Sequence, residues 1–208
     1  YNIKFDNKTS VLGMDKAKKW TLIASTGDPS LTRNTLAWYL SDKANIPYGS
    51  DYRIVDFYAN GDYLGIYIIC ESVEIGKNRI DIFDLEGATE DVNSKKLEKY
   101  SVGGTGAGNS VPDVMDYPNR KWVNIPNDPK DISGGYLLEC EQKNRYSSEI
   151  SGFVTEGAQA VVIKEPEYAS KAQVEYISNF WQEAENALKS PDGYNALGKH
   201  YSDYFDIE

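Results

Sequence analysis

The stretch Ile54-Val55-Asp56-Phe57-Tyr58-Ala59-Asn60-Gly61-Asp62-Tyr63-Leu64-Gly65-Ile66-Tyr67-Ile68-Ile69-Cys70-Glu71 decides the fold class. Two β-rich runs flank Asn60-Gly61, a pair suited to the positive φ that a type I′ hairpin turn needs at both central residues. The second strand places Tyr63, Gly65, Tyr67 and Glu71 on one face, and Leu64, Ile66, Ile68 and Cys70 on the other. Glycine weakens a strand interior unless something approaches closely. The face bearing Gly65, two tyrosines and a terminal carboxylate is therefore the expected ligand face.

Outward from the hairpin, Tyr1 to Phe5 and Lys19 to Ser25 read as strands. Asp28 and Pro29 are an N-cap and first helical residue, opening a helix to about Ala44 with Leu36, Ala37, Leu40 and Ala44 as its buried stripe. Pro47 forces the stop. Lys77 to Phe83 reads as a short extended piece, and 86–132, rich in Gly, Asp, Asn, Ser and Pro, as a long loop insertion. Strands resume at Gly135–Gln142 and Ala158–Lys164. A long helix over Ala169–Leu188 follows, with Gln173, Ile177, Phe180, Trp181, Ala184 and Leu188 at helical spacing. The aromatic end, Tyr201 with Tyr204-Phe205, reads as a packing surface. The expected fold is α+β, an antiparallel sheet with two flanking helices.

Composition narrows the function. In a chain of 208 residues a formal charge of −10 argues against sequence-independent nucleic-acid binding by neutralised phosphates, although Lys16, Lys18 and Lys19 form a small basic patch. No run of 18 apolar residues exists, so no membrane span is expected. Cys70 and Cys140 both read as buried strand residues, with a disulfide between adjacent strands left open. A single histidine, His200, builds neither a multi-histidine metal site nor a nucleophile triad. Gly103-Gly104-Thr105-Gly106-Ala107-Gly108 lacks the Gly-Lys-Ser/Thr ending of a phosphate loop and reads as a flexible loop.

Four separated segments keep a recognisable order: Lys18-Lys19-Trp20-Thr21-Leu22, Asp28-Pro29-Ser30-Leu31 leading to Arg33-Asn34, the hairpin ending in Glu71, and Gly134-Gly135-Tyr136-Leu137-Leu138-Glu139. In this the chain resembles the CotH family, secreted atypical kinases first known from spore coats. The resemblance covers 1–208 and implies the N-lobe of an atypical protein-kinase-like fold. It implies ATP and Mg²⁺ as cofactors, γ-phosphate transfer to Ser or Thr of a secreted or coat protein, and a secreted or spore-surface location. It also implies that the magnesium-binding and catalytic aspartates follow the segment ending at Glu208, so that this chain alone is inactive and carries no catalytic or metal residue to name.

Candidate nucleotide-binding residues follow from kinase chemistry, which needs a phosphate-gripping cation, a carboxylate to hold it and groups to orient the nucleotide. Val161-Val162-Ile163-Lys164 resembles a kinase strand lysine, with Glu175, Glu183 or Glu185 as its pairing carboxylate. Glu71 and Glu139 end or interrupt apolar strands and must meet solvent or a cation; Glu141 is expected at the surface. Arg33 is a phosphate ligand or the partner of Asp28 or Asp56, and Tyr63 and Tyr67 are adenine-stacking rings or core. The readings of another class are a non-catalytic extracellular interaction module within an assembly and, third, carbohydrate binding through exposed Trp and Tyr.

Overall fold

A computed structural model describes residues 1–101 and 117–206. The glycine run at 103–108 and the last two residues lie outside the described part. The chain divides into two compact units, Tyr1–Ile82 and Phe83–Glu208. Each carries its own four-stranded antiparallel sheet, where the sequence reading expected one.

In the first unit, β1 (Asn2–Thr9), β2 (Ala17–Ile23), β3 (Tyr52–Ala59) and β4 (Asp62–Glu71) lie in the order β1-β2-β4-β3. The hairpin is as expected: Asn60 (φ 53) and Gly61 (φ 94) make a two-residue turn. Its expected apolar face is buried only at Ile68 and Cys70, and the opposite face also packs inward. Register places Trp20 opposite Glu71 and Leu22 opposite Ile69, so the odd-numbered β4 face is the core face. Tyr67 and Ile69 pack there with Met14, Ala17, Trp20 and Leu22. Leu64 and Ile66, expected inside, are exposed. Gly65 is explained by backbone conformation: its φ is +110 beside a bulge at Phe57/Tyr58, and nothing lies within 4 Å of a Cβ built there.

Helix α1 (Arg33–Lys43) starts later than Asp28 because that aspartate closes a turn instead, accepting the N–H of Ser30 and of Arg33. Its expected stripe is not buried. Leu36, Tyr39 and Leu40 are exposed, and Trp38 is the side chain that faces the sheet, 4.9 Å from the Tyr52 ring. No strand forms at 77–83, only an isolated bridge between Ile75 and Ile80.

The second unit begins just before the expected long loop and takes it in. Helix α2 (Leu85–Asp91) is capped by Asp84, and β5 is Asn119–Lys121. Leu97, Val123 and Ile125 form a packed cluster, so 86–132 is not one structureless insertion. The other elements are β6 (Leu137–Glu141), α3 (Lys143–Tyr146), β7 (Gly152–Val154), β8 (Ala160–Glu165) and α4 (Lys171–Lys189), with sheet order β5-β7-β8-β6. Four helices are therefore described rather than two flanking ones. Ser170 and Gln173 close a capping box on α4, whose inner stripe includes Gln173, Val174, Ile177 and Ala184. At the aromatic end Tyr204 donates to Glu183 of α4 at 2.9 Å and packs edge-on against Phe180.

Candidate functional site: a lysine groove in the first unit

Trp20 sits at the centre of the first unit's core with no exposed surface. Arg79, on the segment after β4, lies over its ring at 5.0 Å and pairs through Nη1 with Glu71. These two side chains are 5% and 13% exposed, so the pair is a buried one. Burial raises the Glu71 pKa; the Asp51 N–H that it accepts at 3.3 Å and the charge of Arg79 oppose that shift only in part.

Beside this pair runs a groove of about 560 Å³. Lys4 and Lys8 reach it from β1, Lys16, Lys18 and Lys19 from the start of β2, and Lys77 and Arg79 from the segment after β4. Seven of the chain's 22 Lys and Arg residues thus line one cavity in a chain of net charge −10. Glu74 is its one acidic wall residue and sits 3.8 Å from Lys19. So many like charges around one concavity raise the local concentration of anions.

The residues named from sequence fall in both units. Glu71 borders the groove through Arg79. Tyr67 is 9% exposed, stacks on Tyr1 and meets Phe57 edge-on, a core role. Tyr63 is exposed and donates to Asp56 at 3.0 Å. Arg33 is exposed and lies 3.8 Å from Asp28. In the second unit, Lys164 pairs with Glu149 at 3.2 Å. The α4 carboxylates that sequence offered it are engaged elsewhere: Glu175 with Lys171, Glu185 with Lys189, and Glu183 with Tyr204. Glu139 is exposed on β6, whereas the Glu141 side chain is 6% exposed and pairs with Arg145 at 3.4 Å. Cys70 is buried and Cys140 exposed; both are free and stand in different sheets, not on adjacent strands.

Sequence reasoning found Lys16, Lys18 and Lys19 but not the groove. Lys4 joins them because register sets it opposite Lys19, and Lys77 and Arg79 because the chain returns past β2 after β4. Among the described residues no three His, Cys, Asp or Glu side chains converge as a metal site. No helix of the described chain is long and apolar enough to cross a membrane.

In chain order two strands, one helix and two further strands make the first unit, an α+β arrangement whose sheet carries the lysine groove. A family model described as CotH kinase protein matches residues 1–208, and the chain belongs to that family. Comparison with curated proteins and with solved structures gives no match in either set.

Proposed function

We propose that the first unit is the nucleotide lobe of an atypical protein kinase, and that the lysine groove holds the phosphates of ATP. The groove is the observation that carries this reading. In protein kinases the phosphate-gripping lysine lies on a strand and is held by a glutamate from a helix. Lys19 lies on β2, directly before α1, and its carboxylate partner is Glu74. Helix α1 offers only Asp42 as a carboxylate, so the pairing group comes from the segment after β4 instead. Groove lysines of this kind bind and orient a triphosphate and offset its charge as the γ-phosphate leaves.

The groove's lysines and arginine fit the phosphates of ATP, while among the described residues no carboxylates converge to hold magnesium. The acceptor in this reading is a Ser or Thr hydroxyl of a secreted or coat protein, at the spore surface or outside the cell. Exposed Leu36, Tyr39 and Leu40 on α1, with Ile54 and Tyr58 on β3, favour protein contact as a second activity of the same unit.

Equilibrium binding tests the reading. Affinity should fall from ATP to ADP to AMP and vanish for adenosine, and it should weaken with salt. Replacing Lys4 and Lys19 together by alanine should lower ATP affinity about tenfold or more, since each removes a charge-assisted contact. Equal affinity for ATP and adenosine, or none for either, sinks it.

A further inference from the structure

Half of the Arg79 guanidinium is unused. Nη1 donates to Glu71 and to the Asn78 carbonyl, while Nε and Nη2 are buried and meet no acceptor among the described residues. Those two groups form one edge of the guanidinium, a parallel fork matched to two oxygens of a phosphate or carboxylate. Buried N–H donors without acceptors are costly, and this side chain is only 5% exposed. The same side chain lines the lysine groove, whose charge favours multiply charged anions over a single carboxylate.

We infer that the Nε/Nη2 fork of Arg79 is the seat of one phosphoryl group, and that Arg79 is the residue by which the groove distinguishes phosphate from other anions. The inference deepens the nucleotide-lobe reading and rests on it. Lysines attract the polyphosphate as point charges; the planar fork fixes the position of one phosphorus. Because the fork atoms are shielded, the phosphoryl group engages them as the guanidinium turns toward the groove. Glu71 retains the Asp51 N–H when that happens. The competing occupant is a single water. A cavity of about 30 Å³ that Arg79 also borders, together with Tyr48, Ser50 and Ser72, is large enough for one.

The test follows the Arg79 Nε–H by ¹H–¹⁵N NMR, its signal assigned by disappearance in Arg79→Lys. Inorganic phosphate, pyrophosphate, ATP and acetate are titrated separately at fixed ionic strength. A saturating shift is expected with pyrophosphate and with ATP, and none with acetate. Arg79→Lys should bind pyrophosphate about tenfold more weakly, a loss of bidentate contact with charge preserved. Circular dichroism verifies that this variant is folded. Glu71→Gln, which releases Nη1 but keeps an acceptor for Asp51, should bind pyrophosphate no less tightly than the native chain. An unmoved Nε–H at saturating pyrophosphate, or Arg79→Lys binding within twofold of native, leaves the fork to water and overturns the inference. If ATP binds through the lysines while Arg79 stays unmoved, the fork falls and the nucleotide lobe stands. If pyrophosphate takes the fork and ATP does not bind, the nucleotide lobe falls and the fork stands; binding of neither removes both.

Discussion

Trp20 on β2 and Glu71 at the end of β4 are cross-strand partners, and Arg79 closes over both, its guanidinium on the indole and its Nη1 on the carboxylate. The carboxylate that looks ligand-facing in the sequence thus anchors the segment that forms one wall of the lysine groove. Removing one member of a buried ion pair leaves the other charge uncompensated, at a cost of about 3 kcal/mol or more. Glu71→Ala should therefore lower stability by about that amount in urea denaturation. Glu71→Gln should cost less, because an amide oxygen still accepts the Asp51 N–H. A Glu71→Ala loss below about 0.5 kcal/mol would show the pair to be solvent-screened.

Gly65 provides a sharper contrast between conformation and ligand contact. Its φ of +110 is one that L side chains rarely adopt, and open space surrounds the position of a Cβ. Gly65→Ala should cost about 1–2 kcal/mol from backbone strain alone. Nucleotide affinity should be unchanged, as measured by titration under conditions where both proteins are folded. A variant of native stability with weakened nucleotide binding would reinstate the close-approach reading of this glycine.

Lys164 is the residue that a kinase-like motif singles out, yet its ammonium is taken by Glu149 at 3.2 Å and the two side chains are 40% and 24% exposed. Half-exposed ion pairs of this kind contribute less than about 1 kcal/mol. Lys164→Ala should stay within that limit in thermal or urea unfolding. ATP affinity should stay within twofold of the native chain, while the Lys4 and Lys19 double substitution weakens it. A Lys164→Ala variant that is folded but no longer binds ATP would move the phosphate site to the second unit.

These contrasts show what kinds of feature a linear reading recovers. The Asn60-Gly61 turn was legible because it depends on neighbours in sequence, and its local backbone demands select few residue types. The faces of β4 were not, because burial there depends on Trp20 and Leu22 arriving from β2 in a particular register. Strands β5 and β7 are three residues each, too short to show a period. The cluster of Leu97, Val123 and Ile125 was hidden by sparse apolar residues set among polar ones. The groove combines both difficulties. Its lysines come from two strands and a returning segment, so only Lys16, Lys18 and Lys19, close together in sequence, announced themselves, and the orphaned edge of Arg79 has no signature in sequence at all.

Glu86 extends the argument to pH. It follows Leu85 in the first turn of α2, and its carboxylate accepts the Glu167 N–H at 2.7 Å. Burial is the largest influence and raises its pKa above 4.5; the N–H groups of Glu167 and Tyr168 oppose the shift, and the charges of Glu167 and Glu90 add to it. The folded chain therefore holds this proton more tightly than the unfolded chain does. The stability so gained is fully present below about pH 4.5 and is lost as pH rises through the raised folded value. Glu86→Gln removes the titration while leaving an oxygen for the Glu167 N–H. Urea unfolding of both proteins between about pH 4 and pH 7 should show the variant gaining on the native chain as pH rises, with the gain levelling once Glu86 is fully ionised. A difference that is flat across that window, or that shrinks toward neutral pH, would place Glu86 in contact with solvent and remove the cause assigned to its shift.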